Sequence, residues 1–141
     1  MSTTAQNVRR VMTELDHVRI YNLLKRQYGS TTSPQAEALC EAIDAAELVR
    51  AQEIGPDVVT MITQVRVSDT ADGAERTITL SYPPEADAAT GAISVLSPVG
   101  TALLGLRVGD VARWRGADGQ ESHLHVRGID FQPEANGDYT A

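Results

Sequence analysis

The sequence has few of the residues that equip a protein for secretion or for membranes. It holds a single cysteine, Cys40, among 141 residues, and one cysteine cannot form an internal disulfide, as expected in a reducing compartment. No stretch approaches the roughly 20 apolar residues that a membrane-spanning helix needs, and residues 1–6 lack the apolar core of a signal peptide. We therefore expect a cytoplasmic protein with no membrane segment.

Aromatic residues are equally scarce, with four Tyr, one Trp and one Phe. Trp114 and Phe131 could line a ligand groove, but isolated aromatics on strands more often belong to a core. The hydrophobic fraction of 42% and the charged fraction of 22% are those of an ordinary globular protein. A chain of this size can bury a core without disulfides or a structural metal, and we expect no cofactor.

Charge is distributed unevenly along the chain. The net charge is -7, yet residues 1–27 carry five Arg and Lys against two acidic residues, whereas the rest carries seven against seventeen. An acidic main body should be repelled by phosphate backbones, so direct binding to DNA or RNA is not expected. A basic protein surface is the better partner for it.

The first third of the chain has the pattern of two helices. Residues 1–12 show no period and are predicted to be a mobile tail. Asp16 is an acceptable N-cap for a helix that ends near Lys25–Arg26, and Ser33–Pro34 supplies the N-cap and first position of a second helix. The apolar positions at helical spacing are Val18, Ile20, Tyr21, Leu23 and Leu24 in the first helix and Ala36, Leu39, Cys40, Ile43 and Ala46 in the second. The short loop predicts an antiparallel helical hairpin, a short coiled coil, within residues 1–54.

Beyond residue 54 the pattern changes to that of strands. Runs rich in β-branched residues predict five of them. They cover residues 58–67, 76–82, 92–97, 111–115 and 121–131. Asp72–Gly73 and Asp118–Gly119 are typical of tight hairpin turns, which favours antiparallel pairing, and Ser97–Pro98 is typical of the start of a short helix. Residues 55–141 are thus predicted to form an α+β domain, an antiparallel sheet with one short helix.

Two segments resemble the C-terminal domain of the Gre transcription factors. They are residues 56–61, Pro-Asp-Val-Val-Thr-Met, and residues 93–110, which contain Ser-Pro-Val, Ala-Leu-Leu-Gly and Val-Gly-Asp in series. The short helices before them and the tail at residues 131–139 are similar to a shorter branch of this family, the Rnk regulators of nucleoside diphosphate kinase. The resemblance covers about residues 14–140.

The resemblance implies an FKBP-like domain that docks near the secondary channel of RNA polymerase, with the helical hairpin directed at the channel. It places the docking surface at Leu96, Ser97, Pro98 and Val99. These residues also have a purely structural interpretation, since Ser97 can cap the helix that Pro98 and Val99 begin. The implied protein is a monomeric, non-enzymatic regulator that competes with Gre-type factors and affects nucleoside diphosphate kinase indirectly. Direct contact with the kinase is an alternative that the sequence leaves open.

The tip of the predicted hairpin lacks the groups that transcript cleavage requires. By the resemblance, a Gre factor stimulates cleavage with acidic side chains at its tip that help hold a metal ion in the polymerase. Here residues 28–33 are Tyr-Gly-Ser-Thr-Thr-Ser, and hydroxyls do not replace carboxylates as charged ligands of magnesium. We expect no cleavage activity, which makes a true cleavage factor the weakest candidate.

Other chemistry-bearing residues have simpler structural interpretations. Glu37, Glu41 and Asp44 form an acidic stripe that could face polymerase, but such a stripe is usually the solvated side of a helix. His123 and His125 share one face of the last strand, which makes a metal site geometrically conceivable. No third ligand is apparent in the sequence, so we predict no metal site.

Two further patterns could suggest a catalytic cysteine or a nucleotide site, and the sequence argues against both. Cys40 has core spacing and no basic neighbour to make it nucleophilic. Residues 100–105 have the glycine spacing of a phosphate-binding loop, but Leu106–Arg107 stand where Lys and Ser or Thr are required. The remaining alternative is an FKBP-like prolyl isomerase or peptide-binding chaperone. The scarcity of aromatic residues disfavours it, because isomerase pockets of that type are lined by several aromatic side chains.

Overall fold

A computed structural model describes residues 10–29, 33–70, 73–115 and 119–137 of the chain. Two helices, flanked by a pair of short strands, precede a five-stranded sheet into which a short third helix is inserted. The helices are α1 (Glu14–Tyr28), α2 (Pro34–Ala45) and α3 (Pro98–Leu103). The strands are β1 (Val11–Thr13), β2 (Glu47–Val49), β3 (Gln64–Asp69), β4 (Glu75–Ser81), β5 (Ala92–Ser94), β6 (Val111–Arg115) and β7 (Glu121–Phe131). The predicted α+β class is confirmed.

Regular structure begins before the first helix. Strand β1 pairs in parallel with β2, and its Met12 is buried. The prediction of a mobile tail was therefore wrong for residues 10–12, while residues 1–9 lie outside the described part of the chain. Asp16 as the N-cap of α1 was also wrong. Thr13 caps the helix instead, because its Oγ1 accepts the N–H of Asp16 at 3.0 Å.

Helix α1 buries only part of its predicted apolar side. Ile20, Leu23 and Leu24 are buried, whereas Val18 and Tyr21 are 53% and 52% exposed. The side that faces the core is therefore narrower than the sequence predicted. Among the described residues, no helix is both long enough and apolar enough to cross a membrane.

Helix α2 begins where the sequence predicted and ends earlier. The Ser33 hydroxyl accepts the N–H of Ala36 at 3.1 Å, and Pro34 takes the first helical position. The helix ends at Ala45, and the chain then forms β2 beside β1. Because β1 leads into α1 and β2 follows α2, the two ends of this helical pair lie next to each other.

The main sheet has the strand order β5-β4-β3-β7-β6, and β6 and β7 occupy the predicted residues. Strands β4 and β5 run parallel, whereas the other pairs are antiparallel, so the prediction of a wholly antiparallel sheet was wrong. The connection at residues 82–91 crosses back through two 3₁₀ turns and brings β5 in with the direction of β4. Strand β3 begins at Gln64 rather than Val58, because the positive φ of 67° at Ile62 interrupts an extended strand.

Both predicted tight turns contain a glycine in the conformation that such turns favour. Gly73 and Gly119 have φ values of 74° and 83°, in the left-handed region that glycine occupies without steric cost. Asp72 and Asp118, the other halves of the two dipeptides, lie outside the described residues. The strand register pairs Ser68 with Glu75 and Arg115 with Glu121, which leaves more than two residues in each connection. The prediction of tight two-residue turns at these dipeptides was therefore wrong.

One hydrophobic cluster joins the helices to the sheet. It includes Leu39 and Ile43 of α2, Leu103 of α3, Val65 of β3 and Val126 of β7. Burying one such side chain stabilises a fold by ~1.5–3 kcal/mol. Because the cluster contains residues of all these elements, the helical pair is packed against the sheet.

Candidate partner-binding site

The four predicted contact residues form one corner between β5 and α3, here called the docking corner (Leu96–Val99). Its support is Ser94, whose Oγ accepts the N–H of Leu96 at 3.0 Å and whose carbonyl accepts the N–H and hydroxyl of Ser97 at 3.0 and 2.7 Å. Ser97 in turn caps α3 by accepting the N–H of Gly100 at 3.1 Å. A side chain at Gly100 would collide with the Ser94 carbonyl. The docking corner is therefore fixed by local hydrogen bonds and a close backbone approach.

The accessible surface of the docking corner comes mainly from Pro98. Pro98 is exposed, whereas Leu96, Ser97 and Val99 are half-buried. Leu96 and Val99 pack against the hydrophobic cluster. The structural interpretation of Ser97 as the cap of α3 is confirmed, and it leaves Pro98 as the most accessible side chain of the four.

The segment that joins the two helices, residues 28–33, has no acidic residue in its sequence, and the nearest carboxylate on α2 is Glu37 in its first turn. Tyr28 ends α1, Gly29 follows with a φ of 56°, and Ser33 caps α2. Residues 30–32 of the predicted tip, which are Ser-Thr-Thr in the sequence, lie outside the described residues. Helix α1 has 15 residues and α2 has 12. At 1.5 Å per residue these helices are only about 22 and 18 Å long.

A groove of about 340 Å³ lies between α1 and α2. The predicted acidic stripe, Glu37, Glu41 and Asp44, lines it and is exposed to solvent, which agrees with a solvated helix face. Cys40 also lines the groove and is half-buried. The interpretation of Cys40 as a buried core residue therefore holds only in part.

The two histidines of β7 share a face, as predicted, while Leu124 between them is buried on the other face. The Nε2 of His123 lies 3.3 Å from a carboxylate oxygen of Glu121, and Nδ1 of His125 lies 3.4 Å from Nη1 of Arg127. Within the described ranges, no group of three His, Cys, Asp or Glu side chains is arranged to hold a metal ion. These histidines therefore belong to polar pairs on the strand.

The two isolated aromatics have different environments. Trp114 is half-buried and packs against the hydrophobic cluster, in keeping with the core interpretation. Phe131 is 37% exposed at the end of β7, so the core interpretation was wrong for this residue.

A buried polar cluster that the sequence analysis missed lies where α1 meets the chain before β3. Asp16 is 1% exposed, and its Oδ2 accepts the N–H of Met61 at 3.2 Å. Burial raises the pKa of Asp16 to about 6; the hydrogen bond from Met61 acts in the opposite direction, and the Glu134 carboxylate adds to the rise. Thr60 donates its hydroxyl to Glu134 Oε1 at 2.8 Å. Burial likewise raises the pKa of Tyr82 to about 12.

Arg10, placed in the tail by the sequence analysis, ties the start of the chain to α3. Its Nη1 donates to the carbonyl oxygens of Thr101 and Leu104 at 3.0 and 2.7 Å, groups that the end of a helix leaves without intrahelical donors. Burial lowers the pKa of Arg10. No local pattern in the sequence signals this contact. The spacing Thr13-x-x-Asp16, by contrast, is a helix-start signal that could have placed the cap correctly.

Comparisons with known proteins agree with the fold. Residues 53–131 match the family "Transcription elongation factor, GreA/GreB, C-term". The solved structure of the prokaryotic transcription elongation factor GreA/GreB from Nitrosomonas europaea has a TM-score of 0.70 and 32% identity, and the match covers 87% of this chain and 98% of that one. The chain belongs to the GreA/GreB family.

Within this family, a near-full-length relative is the regulator of nucleoside diphosphate kinase of Escherichia coli (strain K12). It is 40% identical over 129 residues, which cover 92% of this chain and 94% of that protein. The transcription elongation factor GreA of Flavobacterium johnsoniae is 37% identical over 67 residues, 48% of this chain and 42% of that protein. The predicted resemblance to the shorter, Rnk branch is therefore confirmed.

The names of these relatives also bear on the class of activity. They are called regulators or transcription factors, not catalysts. The alternative of a prolyl isomerase or peptide-binding chaperone finds no support among them. A Gre-related regulator is the class that the family and the fold define.

Proposed function

We propose that this chain binds RNA polymerase at the docking site used by Gre-type factors, near the secondary channel, and regulates transcription without cleaving the transcript. It competes with Gre-type factors because both use that site, and it affects nucleoside diphosphate kinase indirectly, through transcription. The observation that carries the proposal is the docking corner, a fixed and partly apolar corner on the domain that matches the GreA/GreB family.

The geometry of the docking corner suits a protein contact. Its backbone is held by Ser94 and by the cap of α3, so little conformational freedom is lost when a partner binds. Pro98 projects as an exposed apolar side chain beside the half-buried Leu96 and Val99. A small apolar patch in a fixed position is the kind of surface on which a few residues supply most of the binding energy.

The lack of cleavage activity follows from the helical pair. Its tip offers hydroxyls where a metal-assisted reaction needs carboxylates. At about 22 and 18 Å, the helices are also shorter than the hairpin that the resemblance implies for a Gre factor. We therefore propose that the chain regulates polymerase by occupying the docking site without promoting transcript cleavage.

The proposal includes the finer features that the family resemblance implies. The helical part at residues 1–54 is an antiparallel coiled coil directed at the channel, and residues 55–141 form an FKBP-like domain that docks. The protein acts as a monomer in the cytoplasm. Its net charge of -7 favours a basic protein surface over DNA or RNA.

The test is binding to core RNA polymerase by the wild-type chain and by docking-corner variants. Pro98→Asn with Val99→Asp should weaken binding by at least about tenfold. Because Val99 is half-buried, Pro98→Glu serves as a second variant that places an acid at the first turn of α3, where it is tolerated. Val108→Asp is the matched control, since Val108 is 41% exposed elsewhere on the same domain.

A Gre factor in excess should displace the wild-type chain from polymerase. In backtracked complexes free of Gre factors, the chain should leave the transcript at the polymerase's intrinsic cleavage rate, and it should inhibit cleavage by an added Gre factor. Simultaneous saturation by both proteins would contradict the shared site. Unchanged affinity in folded docking-corner variants would show that the contact lies elsewhere.

A further inference from the structure

Strand β6 ends the main sheet, so one side of its backbone has no partner strand among the described residues. A cleft of about 480 Å³ follows this strand. The residues of β6 that line it are Val111, Ala112, Arg113, Trp114 and Arg115. Because successive side chains of a strand point to opposite faces, a cleft that meets every residue of β6 runs along its edge. An open edge of this kind is a template for another strand.

The opposite wall of the cleft leaves room for an added backbone. Helix α2 contributes mainly small side chains to it, those of Ala38, Ala42 and Ala45. A strand that paired with β6 would lie about 4.8 Å from it in the hydrogen-bonding direction. The cleft therefore offers an extended segment both hydrogen-bonding groups and space.

The two faces of β6 differ in chemistry. Arg113 and Arg115 are exposed, and within the described ranges no ion pair holds either of them. On the other face, Ala112 is buried and Trp114 is half-buried against the hydrophobic cluster. An added strand would place alternate side chains beside the two arginines and the remaining ones beside Trp114. Opposite charges and aromatic-aliphatic pairs are the favourable cross-strand combinations.

The charges around the cleft favour an acidic occupant. Arg10, Arg113 and Arg115 line it against Glu41 and Glu121, a positive excess in a chain whose net charge is -7. The carboxylate of Glu121 lies near the His123 ring, with 3.3 Å between Oε1 and Nε2. Arg10 is half-buried and already donates to carbonyls of α3. The cations that an occupant of the edge would meet are therefore Arg113 and Arg115, with Glu121 opposite Arg115 in the strand register.

We propose that the edge of β6 binds, as an added strand, an extended segment of a partner protein in which acidic and apolar residues alternate. A second copy of the chain fits less well, because antiparallel pairing of β6 centred on Arg113 sets that residue opposite itself, and like charges repel there. Single-stranded nucleic acid could stack on Trp114, but the acidic body repels its phosphates. None of the residues that line the cleft belongs to the docking corner, and the test uses peptides without polymerase, so its failure is distinguishable from a failure of polymerase binding.

Trp114 provides the readout, since the chain contains one Trp and its fluorescence reports on this edge directly. The probe is a short peptide of alternating Glu and Val, blocked at both ends. The controls have the same composition in separate Glu and Val blocks, or Lys in place of Glu. The alternating acidic peptide should shift the emission and bind at least about tenfold more tightly than either control. Equal binding of these peptides, or no response to any of them, would overturn the proposal.

Charge reversal makes the test specific to the edge. Arg113→Glu with Arg115→Glu, both at exposed positions, should invert the preference by about tenfold in favour of the Lys peptide. Arg76→Glu, at an exposed position on β4, should leave it unchanged. N-methylation of alternate peptide nitrogens on the side that pairs with β6 should abolish binding, because it removes the backbone donors. Unaltered preference in the reversed variant, or a response to oligothymidylate in place of the peptide, would refute strand addition.

Discussion

The stability of the fold should depend on pH through one buried carboxyl group, that of Asp16. Its pKa is about 6 in the folded chain against an ordinary value of 3.8, and burial is the main cause. The folded state therefore binds a proton more tightly than the unfolded chain does. The stabilising contribution of the protonated group is complete below pH 3.8 and is lost as the pH rises through 6. This difference in pKa corresponds to about 3 kcal/mol of unfolding free energy.

Asp16→Asn isolates this effect, because it removes the titration and keeps an oxygen that can accept the N–H of Met61. The measurement is the free energy of unfolding in urea, for wild type and variant, from about pH 4 to about pH 7. Between about pH 4 and about pH 7 the difference should move in favour of the variant by about 2 kcal/mol, because the carboxyl of the unfolded chain is already largely ionised at pH 4. Asp57→Asn, at an exposed position, controls for the loss of one negative charge. A difference that stays constant, or that moves against the variant, would refute this account of Asp16.

Three other variants test separate parts of the structure. Ser30→Asp with Thr31→Glu should still fail to confer transcript cleavage, because a carboxylate must approach magnesium to about 2.1 Å and a shortfall of one helical turn, about 5.4 Å, prevents this; cleavage at a Gre-like rate would show that the tip reaches the metal. Gly100→Ala should weaken polymerase binding and lower the melting temperature together, since its side chain would collide with the Ser94 carbonyl; wild-type values for both would contradict the close approach. Arg10→Ala should lower the free energy of unfolding by about 2 kcal/mol, the cost of losing charge-assisted hydrogen bonds, and an unchanged urea midpoint would exclude that role.

Elements with local signals could be predicted from the sequence. Ser97 followed by Pro98 places the start of α3 correctly because a capping hydroxyl and a fixed φ act within one turn. Strands β6 and β7 have the predicted bounds because glycine-containing turns separate their runs. The docking role of residues 96–99 came from the family resemblance and stays a prediction, and the support of this corner by Ser94 had no signal in the sequence.

Features that depend on distant contacts could not be predicted in this way. Strand β1 is three residues long, too short for a periodic pattern, and it exists because β2 lies beside it. An aspartate near the start of a helix is normally exposed, and Asp16 is buried instead because it accepts the N–H of Met61, which is 45 positions away in the sequence. The parallel pairing of β5 is decided by the path of the crossing connection and not by the composition of the strand.

The pairing of β1 with β2 brings the two ends of the helical pair together. Val11 stands opposite Glu47 in this pairing, so the chain leaves for the helices and returns from them at nearly one point. A segment whose two ends meet can grow or shrink by whole turns while the sheet and the docking corner stay where they are. In such an architecture, the distance to which the helices project is set separately from the docking corner that we propose. Under this proposal, relatives that share the docking corner can differ in the side chains at the far end of their helices, with or without groups that take part in a reaction.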